Sequence, residues 1–584
     1  MNVTPTSSPT PFRSLPEQLW SQDPGRLALW TPGLTLSLGE LLGRADRWAA
    51  ALVASGLAPG QPVAFRLDRT PDLVAGVLGA LRAGHPFLVL DRRLSPALQA
   101  SRLAEAGAGL LVSWDAAAPE GLPTLSPEAL GAGEPRPDLP WPGPEAPAYL
   151  VATSGSTGRP RLVRVSHAAL AAYPAGFNAG PEVGPGDRWL HVASFAYSAA
   201  VRQLLVPLVH GAAVVLAGTE AILDPVALLE LVRRARVTVT DWVPSYLRSV
   251  CEVLEGLPEE RRQGLLDPAV RLHISSGEPL PWSLVSRWRD LGFAGRIGSA
   301  YGLTETCGLV AWQEVGAALE SGWVNIGKAL PHARLRAANG AGESVAAGAE
   351  AQLWVGGACI AGLQAPGAHC VRDEGGGAWL DTGDRVVEAP DGTLNFAGRQ
   401  DDQVKVHGIR IALGEVEEAL RSHSAVLDGA VVAEVDEGSA RRLVAHVVLR
   451  AGMSADEATL RAHLLVHGPE AWLPAAFRWR EVLPRTLSGK VDREALRNQE
   501  VVAASTSVAG SDPVETAVQR AWEETLGPGT LDGDFFEMGG DSMQVITLLA
   551  RVTAELDQEI PLVAEFFGDP TYKGLVEAVR RGLL

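Results

Sequence analysis

The first constraint on the fold is the alternation of short apolar segments with segments of helical period from residue 15 onward. GELLGRADRWAAALVASG, residues 39–56, has the apolar spacing of an amphipathic helix that ends at Gly56. QPVAFRLD (61–68) and PFLVLD (86–91) have the composition of strands on either side of another helical segment. The same order continues through YLVATSGS, RWLHVAS, AAVVLAG, VTVTDWV and LHISSG. Strands that alternate with helices predict an α/β fold with a mainly parallel sheet.

The pattern changes three times in the second half of the chain. After about residue 340 come glycine-rich, hairpin-like strands (AQLWVGG, GTLNFAG, DQVKVHG), and a second α/β segment follows at 411–497. VVAASTSVAGSD, near residue 500, has the small and polar residues of a flexible linker. Residues 513–584 show helical patterns and no convincing strand, which predicts a small helical bundle.

Composition excludes several classes of function. At 584 residues the chain is too long for one domain of ~150 residues. A net charge of −18 disfavours nucleic-acid binding, and four cysteines without a CxxC pair disfavour a disulfide framework or a cysteine-rich zinc site. The sequence opens on no signal-peptide pattern, and no apolar stretch reaches ~18 uncharged residues. We therefore expect a soluble cytoplasmic protein with no nucleic-acid or membrane partner.

The strongest local motif is TSGSTGRPR, residues 153–161, directly after the apolar strand AYLVA. Its glycines allow close approach of the backbone to phosphates, and its hydroxyl and amide groups can donate hydrogen bonds to them. The loop lacks the GK[ST] ending of a Walker A motif and the G-x-G-x-x-G of a Rossmann fingerprint. An ordinary Ser/Gly turn is the alternative interpretation.

Four further motifs carry polar residues between apolar segments. SAYGLTET (299–306) places the carboxylate of Glu305 between two threonines, a donor set suited to a metal–phosphate site. DTGD (381–384) offers Asp384 as an acceptor for ribose hydroxyls, and TLSGKVDREAL (486–496) places a lysine on a Ser-Gly loop. GRQDDQVKVHGIRI (398–411) joins two regions of different pattern. Taken singly, each also fits a solvated acid or an ordinary turn.

The order and spacing of these motifs resemble the adenylate-forming superfamily, which includes acyl-CoA ligases, luciferases and nonribosomal peptide synthetase (NRPS) adenylation domains. LRAGHPFLVLD (81–91) is similar to a further motif of that family, and the resemblance covers about residues 15–497. DFFEMGGDSMQVITLLARV (534–552) resembles a peptidyl or acyl carrier domain.

The resemblance implies an α/β fold with a large adenylate-forming N-terminal core, a small mobile α+β C-terminal subdomain and an all-α helical-bundle carrier domain. It sets the predicted boundaries at 1–400 for the core, 401–498 for the subdomain, 499–511 for the linker and 512–584 for the carrier. The implied enzyme is an acid–thiol ligase that uses Mg²⁺ and ATP to make an acyl-AMP. It would then transfer the acyl group to 4′-phosphopantetheine on its own carrier.

Roles for individual residues also follow from the resemblance. Lys490, Glu305 and Thr153 would be catalytic, with Glu305 as the Mg²⁺ ligand, Asp401 as the hinge and Ser542 as the phosphopantetheine attachment site. The implied nucleotide-binding residues are Thr153, Ser154, Gly155, Ser156, Thr157, Gly158, Tyr301, Thr304, Asp384 and Arg399. The implied substrate pocket comprises Ala196, Tyr197, Ala200, Asp241, Ile274, Ser276, Ala300, Gly308 and Leu309.

Two pocket residues bear on the choice of acid. In amino-acid-activating members an aspartate pairs with the substrate α-ammonium, and Ala196 stands at its place in SFAYSAAV (194–201). A standard α-amino acid is therefore not expected, because its buried ammonium would lack a countercharge. Asp241 places a carboxylate in an otherwise small and apolar pocket, which predicts a nitrogen elsewhere in the acid: an aminobenzoate, a β- or γ-amino acid or a betaine. The alternative is that Asp241 caps the following turn.

The expected partners are the carboxylic acid, a phosphopantetheinyl transferase and a downstream enzyme that accepts the carrier-bound acyl group in trans, so that the chain acts as a loading or stand-alone module. Two alternatives stay open: an acyl-CoA ligase whose acceptor is free CoA, and a catalytically degenerate scaffold.

Overall fold

A computed structural model gives the fold. It describes residues 12–92, 94–115, 121–153, 161–317, 322–360, 362–365, 370–372, 377–400, 403–406, 409–435, 441–450, 453–480, 482–484, 491, 493–497, 512–526, 531, 533–535, 542–556 and 562–582.

The first part of the chain contains, in order, α1 (Leu15–Trp20), β1 (Leu27–Thr31), β2 (Leu34–Ser37), α2 (Leu38–Ala54), β3 (Val63–Arg66), α3 (Pro71–Ala83), β4 (Phe87–Val89), α4 (Pro96–Ala106), β5 (Leu110–Ser113), β6 (Thr124–Leu125), α5 (Pro127–Gly131), β7 (Pro147–Thr153), β8 (Arg161–Ser166), α6 (His167–Phe177), β9 (Arg188–His191), α7 (Ser198–Val209) and β10 (Ala213–Leu216).

The following part contains α8 (Thr219–Leu223), α9 (Pro225–Ala235), β11 (Val239–Trp242), α10 (Pro244–Glu255), α11 (Glu259–Leu265), β12 (Leu272–Ser276), α12 (Trp282–Asp290), β13 (Arg296–Leu303), a 3₁₀ turn (Thr304–Thr306), β14 (Gly308–Glu314), β15 (Lys328–Ala329), β16 (Ala333–Ala338), β17 (Glu350–Gly357), a second 3₁₀ turn (Ala358–Ile360), β18 (Cys370–Arg372), β19 (Ala378–Glu388) and β20 (Leu394–Arg399).

The last part contains β21 (Gln403–Val406), β22 (Ile409–Ala412), α13 (Leu413–Ser422), β23 (Val426–Val435), β24 (Arg441–Leu449), α14 (Glu457–His467), a 3₁₀ turn (Glu470–Trp472), β25 (Ala476–Trp479), α15 (Arg493–Arg497), α16 (Pro513–Leu526), α17 (Ser542–Leu556), α18 (Val563–Gly568) and α19 (Tyr572–Gly582).

Two mainly parallel sheets form the large core, as the alternation of strands and helices predicts. One has nine strands in the order β15-β14-β13-β12-β11-β9-β10-β1-β2, and the other has six in the order β6-β5-β3-β4-β7-β8. The predicted helix at 39–56 is α2, which begins after a capping box between Ser37 and Glu40. One hydrophobic cluster runs from Leu15 to Leu330 and includes residues of both sheets. The two sheets are therefore held by a common core.

Beyond β15 the chain turns to antiparallel pairing. β16, β17, β19 and β18 form a sheet in that order, and β20 pairs with β19, which places Asp384 opposite Arg399. The hairpin of β21 and β22 follows, and then β23, β24 and β25 form a three-stranded sheet that packs with α13 and α14 around its own hydrophobic cluster. The α/β class and the large N-terminal core are confirmed.

The helices after residue 512 pack around a separate apolar cluster that includes Trp522, Phe535 and Phe566. α16 contacts α17 and α19, and α17 also contacts α10 and α8 of the large core. The predicted carrier region is thus a helical bundle whose second helix faces the large core. Among the described residues, no helix combines the length and apolar character needed to cross a membrane.

Candidate active site

A cavity of about 430 Å³ opens where the carboxyl ends of strands from both core sheets meet. Leu90 follows β4, Thr153 ends β7, Val192 follows β9, Trp242 ends β11 and Ser276 ends β12, and all five line the cavity. Ligands of open α/β sheets bind at this edge, because the loops and helix N-termini that follow parallel strands converge there. Residues of the β21–β22 hairpin and of the 470–472 turn complete the wall from the other side.

Asp384 lies at the centre of a buried polar cluster. The hydroxyl of Tyr301 donates to one carboxylate oxygen and the guanidinium of Arg399 pairs with the other, while the backbone N–H of Asp384 donates to Thr382 Oγ1 at 3.1 Å. Burial, followed by the charge of Asp384, raises the pKa of Tyr301 well above its usual value, so its hydroxyl stays protonated as a donor. Tyr301 and Arg399, both predicted to bind nucleotide, therefore each contact the third such residue, Asp384.

Lys405 of the hairpin adds a cation to this cluster that the sequence analysis did not assign. Its ammonium nitrogen lies 5.8 Å from the centre of the Tyr301 ring, and its side chain lines the cavity. Burial lowers the pKa of Lys405, and the negative charge of Asp384 opposes this shift. The hairpin thus brings positive charge to the predicted nucleotide end of the cavity.

Glu305, the predicted metal ligand, is paired with a second hairpin residue. Arg410 Nη1 lies 3.2 Å from one carboxylate oxygen of Glu305 and 3.4 Å from the other, and both side chains line the cavity. Thr304 precedes Glu305 on the 3₁₀ turn and contacts Ser198, with 3.2 Å between their hydroxyl oxygens. One carboxylate beside a hydroxyl, facing the nucleotide end, fits Mg²⁺, which takes few protein ligands and several substrate oxygens. Among the described residues, no group of three His, Cys, Asp or Glu side chains forms a metal cluster of its own.

Six of the nine predicted pocket residues line the cavity: Ala196, Tyr197, Asp241, Ser276, Gly308 and Leu309. The other three, Ala200, Ile274 and Ala300, are buried in the elements behind it. Gly308 has a φ of +124°, and a Cβ there would lie 2.8 Å from the ring of Tyr173. Glycine at this position therefore keeps the pocket wall free of strain and open.

Asp241 does not have the partnerless carboxylate that the sequence analysis expected. Arg202 Nε donates to one oxygen at 2.8 Å, and the hydroxyl of Ser276 donates to the other at 3.2 Å. Asp241 also lies within β11 rather than at a helix cap, so the alternative of a turn cap is wrong as well. The argument for a substrate nitrogen at Asp241 is corrected, because a guanidinium of the protein already neutralises this carboxylate.

The sequence held a signal for this pair. Arg202 and Gln203 interrupt SAAVRQLLVPLV, an otherwise apolar helix, and a charge on a buried helix face needs a partner. The helical spacing places Arg202 one turn after Ser198, on the side of α7 that meets the pocket. The sequence therefore indicated a buried partner for Arg202, although it did not identify Asp241 as that partner.

Several predicted residues lie outside the described part of the chain: Ser154, Gly155, Ser156, Thr157, Gly158, Asp401 and Lys490. Thr153 and Thr304 line the cavity. Ser542 is the first residue of α17, and its side chain is likewise outside the described atoms. The helix that starts at Ser542 contacts α8 and α10, which supply Ile222 and Tyr246 to the cavity wall.

Comparison with known proteins agrees with this arrangement. The family model of AMP-binding enzymes matches residues 17–362, that of the AMP-binding enzyme C-terminal domain matches 415–490, and that of the phosphopantetheine attachment site matches 516–579. The chain therefore belongs to the AMP-binding enzymes.

Its particular architecture is an adenylation domain followed by a carrier domain, and the chain is similar to NRPS proteins that contain both. AMB antimetabolite synthetase AmbB of Pseudomonas aeruginosa is 33% identical over 578 residues, which are 96% of this chain and 44% of that protein. Holo-PA1221, an NRPS protein containing adenylation and PCP domains, matches 97% of this chain and 96% of its own with a TM-score of 0.81 at 22% identity. An o-succinylbenzoate CoA synthetase of Bacillus subtilis matches 83% of this chain and 98% of its own with a TM-score of 0.71 at 23% identity. The chain spans less than half the length of the first curated relatives that it matches.

Proposed function

We propose that this chain activates a carboxylic acid without a free α-amino group as its acyl-AMP and loads the acyl group onto its own carrier domain. The observation that carries the proposal is a cavity lined both by Thr153, Thr304 and Glu305 of the predicted nucleotide and metal residues and by six of the nine predicted acyl-pocket residues. The helix that begins at the predicted attachment serine contacts the elements that wall this cavity. Ser542 would carry phosphopantetheine, whose thiol would accept the acyl group from the acyl-AMP with release of AMP.

The nucleotide end would bind ATP through Asp384 and Arg399 at the ribose and through Thr153 with the following loop at the phosphates. Glu305 would hold Mg²⁺, which would supply charge neutralisation at those phosphates. Lys490 would bridge the substrate carboxylate and the α-phosphate, where negative charge accumulates on attack. Rotation of the small subdomain about Asp401 would then remove Lys490 and admit the carrier arm, so that one site serves two steps.

Ala196 supports the absence of an α-ammonium in the substrate. It lines the cavity at the place where amino-acid-activating relatives carry an aspartate. The remaining acids of the sequence analysis, an aminobenzoate, a β- or γ-amino acid and a betaine, become test substrates. A panel of these acids, standard α-amino acids and plain aryl and aliphatic acids in the ATP–pyrophosphate exchange assay tests the proposal. Clear preference for a standard α-amino acid would contradict it.

Ser542→Ala tests the second half of the proposal. The variant is expected to keep exchange activity and to lose covalent loading, measured as the mass of the carrier region after incubation with acid and ATP. A carrier that is still acylated through a thioester in this variant would show that the attachment site lies elsewhere.

Lys490→Ala separates the two steps. Removing a preorganised charge at the reacting atoms is expected to slow adenylation ~10²–10³-fold while sparing transfer from preformed acyl-AMP. Equal loss in both steps would contradict the rotation of the subdomain.

A second candidate function is favoured by the likeness to o-succinylbenzoate CoA synthetase, whose name states CoA as acceptor. Free acyl-CoA formed in preference to acylated Ser542 would support it. The phosphopantetheine attachment match favours the carrier instead. A degenerate scaffold is the third possibility, and absence of exchange with every acid would support it. The downstream enzyme that accepts the acyl group in trans and the cytoplasmic location stay predictions.

A further inference from the structure

The acyl end of the cavity contains a buried ion pair that the proposed function does not use. Arg202 on α7 and Asp241 on β11 have side chains that are 5% and 1% exposed, yet both line the cavity. Arg202 Nη2 also donates to the hydroxyl of Ser276 at 3.0 Å, and Ser276 in turn donates to Asp241. The pair therefore forms a closed triangle with Ser276 in the pocket wall.

The surroundings fix this triangle in place. Gln203 donates from its side chain to the backbone carbonyl of Asp241 at 2.9 Å, and the buried hydroxyl of Tyr173 contributes electrostatically to the charged form of Arg202. Burial alone would lower the pKa of Arg202, but Asp241 and Tyr173 outweigh it and raise that pKa. Arg202 consequently stays charged and its donors are directed at groups of the protein.

The charge balance of the acyl end follows from this geometry. Besides Arg202 and Asp241, the described charged residues that line the cavity are Asp91, Arg102, Glu305, Lys405, Arg410 and Glu415, none of which belongs to the predicted acyl-pocket residues. Glu305 and Arg410 pair with each other, Lys405 lies in the Asp384 cluster, and Arg102 lies 3.7 Å from Glu105. The predicted acyl-pocket residues include one charged side chain, Asp241, and Arg202 cancels it. A cationic acyl group would face the guanidinium of Arg202 as a like charge, and an anionic one would face Asp241.

We propose that Arg202 is a specificity-determining residue that neutralises Asp241 and restricts the pocket to acids whose acyl portion carries no charge. The inference rests on the proposed function and adds the substrate class. An aminobenzoate fits this class, because its aromatic amine is uncharged at neutral pH, whereas betaines and protonated β- or γ-amino acids do not. A charged acyl group must either remain buried without a countercharge or break the ion pair, and both are strongly unfavourable.

The test uses the full-length protein and acids of equal shape and different charge in the exchange assay. The probes are 4-ethylbenzoate against 4-(aminomethyl)benzoate, pentanoate against 4-aminobutanoate, and hexanoate against glutarate. For the native protein the neutral member of each set is expected to have a kcat/KM higher by ~10²-fold or more, since a buried unpaired charge is disfavoured to that extent.

Two single variants are expected to shift this preference in opposite directions. Arg202→Met keeps an unbranched, largely apolar stem but removes the guanidinium and leaves Asp241 as an unpaired anion, so preference should move at least tenfold toward the cationic acids. Asp241→Asn leaves Arg202 as an unpaired cation, so preference should move toward glutarate. The double variant restores charge balance and should again prefer neutral acids, even if either single variant folds poorly.

Arg271→Met is the matched control, because it breaks a half-buried Arg–Asp pair of similar geometry, 2.6 Å from Asp187, that does not line the cavity. It should change thermal stability without changing selectivity. Native-like selectivity in a folded Arg202→Met protein, or a native preference for the cationic acids, would overturn the role of Arg202. Absence of exchange by the native protein with every acid, together with an unmodified Ser542, would instead overturn the proposed function and this inference with it.

Discussion

Trp522 offers a perturbation that separates loading from adenylation. Its side chain is fully buried in the apolar cluster of the carrier, with edge-on ring contacts to Phe535, Phe566 and Tyr572. Replacement of a buried tryptophan by alanine costs ~3–5 kcal/mol of folding free energy. A bundle of about 70 residues has a total of ~4–10 kcal/mol. Trp522→Ala therefore removes a large share of the carrier's stability, while the core cluster that includes Trp48 is not touched.

The assay combines calorimetry with the two activity measurements. The carrier transition should fall by ~12 °C or more, since ~1 kcal/mol shifts the midpoint of so small a domain by ~4–8 °C. Exchange activity should stay within twofold of native, and phosphopantetheinylation and acyl loading should fall at least tenfold. Trp114→Ala is the control. Trp114 belongs to the large core domain and is 42% exposed, so its replacement should alter neither exchange activity nor acyl loading.

Two results would refute this reasoning. Loss of exchange in parallel with loss of loading would mean that the adenylation core depends on the carrier for its own fold. Native loading by Trp522→Ala would mean that the packing around this side chain does not determine whether the carrier folds.

Three further predictions concern the core and the hairpin. Gly308→Ala should reduce exchange kcat/KM at least tenfold, because residue 308 has a left-handed φ and the added methyl would lie 2.8 Å from the ring of Tyr173. Activity within twofold of native would contradict this. Burial lowers the pKa of His273 to about 4, below its unfolded value, so the free energy of unfolding should fall as the pH drops from ~6.5 to ~4. Between pH 7 and 5, the midpoint of thermal unfolding should therefore decrease less for His273→Gln than for the native protein. An equal decrease in both would exclude His273 as the titrating group. Arg410→Gln should lower the Mg²⁺ concentration that half-saturates exchange by ~5-fold or more, because the metal no longer competes with a guanidinium for Glu305. An unchanged Mg²⁺ requirement would show that the ion pair and metal binding are independent.

The sequence predicts the parts of this molecule that depend on local order. The spacing of apolar residues in 39–56 and the two apolar segments at 61–68 and 86–91 correspond to α2, β3 and β4, because period and flanking turns determine such elements within a few residues. The motif series predicts that Tyr301, Asp384 and Arg399 serve one nucleotide, and these three side chains are in contact.

The ion pairs of the site were not predictable in the same way. Arg202 and Asp241 are 39 residues apart and belong to a helix and a strand that meet only in the folded protein. Asp241 could be recognised as a pocket residue and Arg202 as a buried charge in an apolar helix, but no local pattern indicates that the two residues meet. The same holds for Lys405, whose position over the ring of Tyr301 depends on where the β21–β22 hairpin packs.

The contact between Glu305 and Arg410 has a consequence for recombining such enzymes. These residues are 105 positions apart, and the boundary predicted near residue 400 lies between them. A chimera joined at that boundary inherits the acid from one parent and the base from the other. Two parents that each have an acid at the position of Glu305 and a base at the position of Arg410 should therefore yield functional hybrids more often than parents chosen by overall identity.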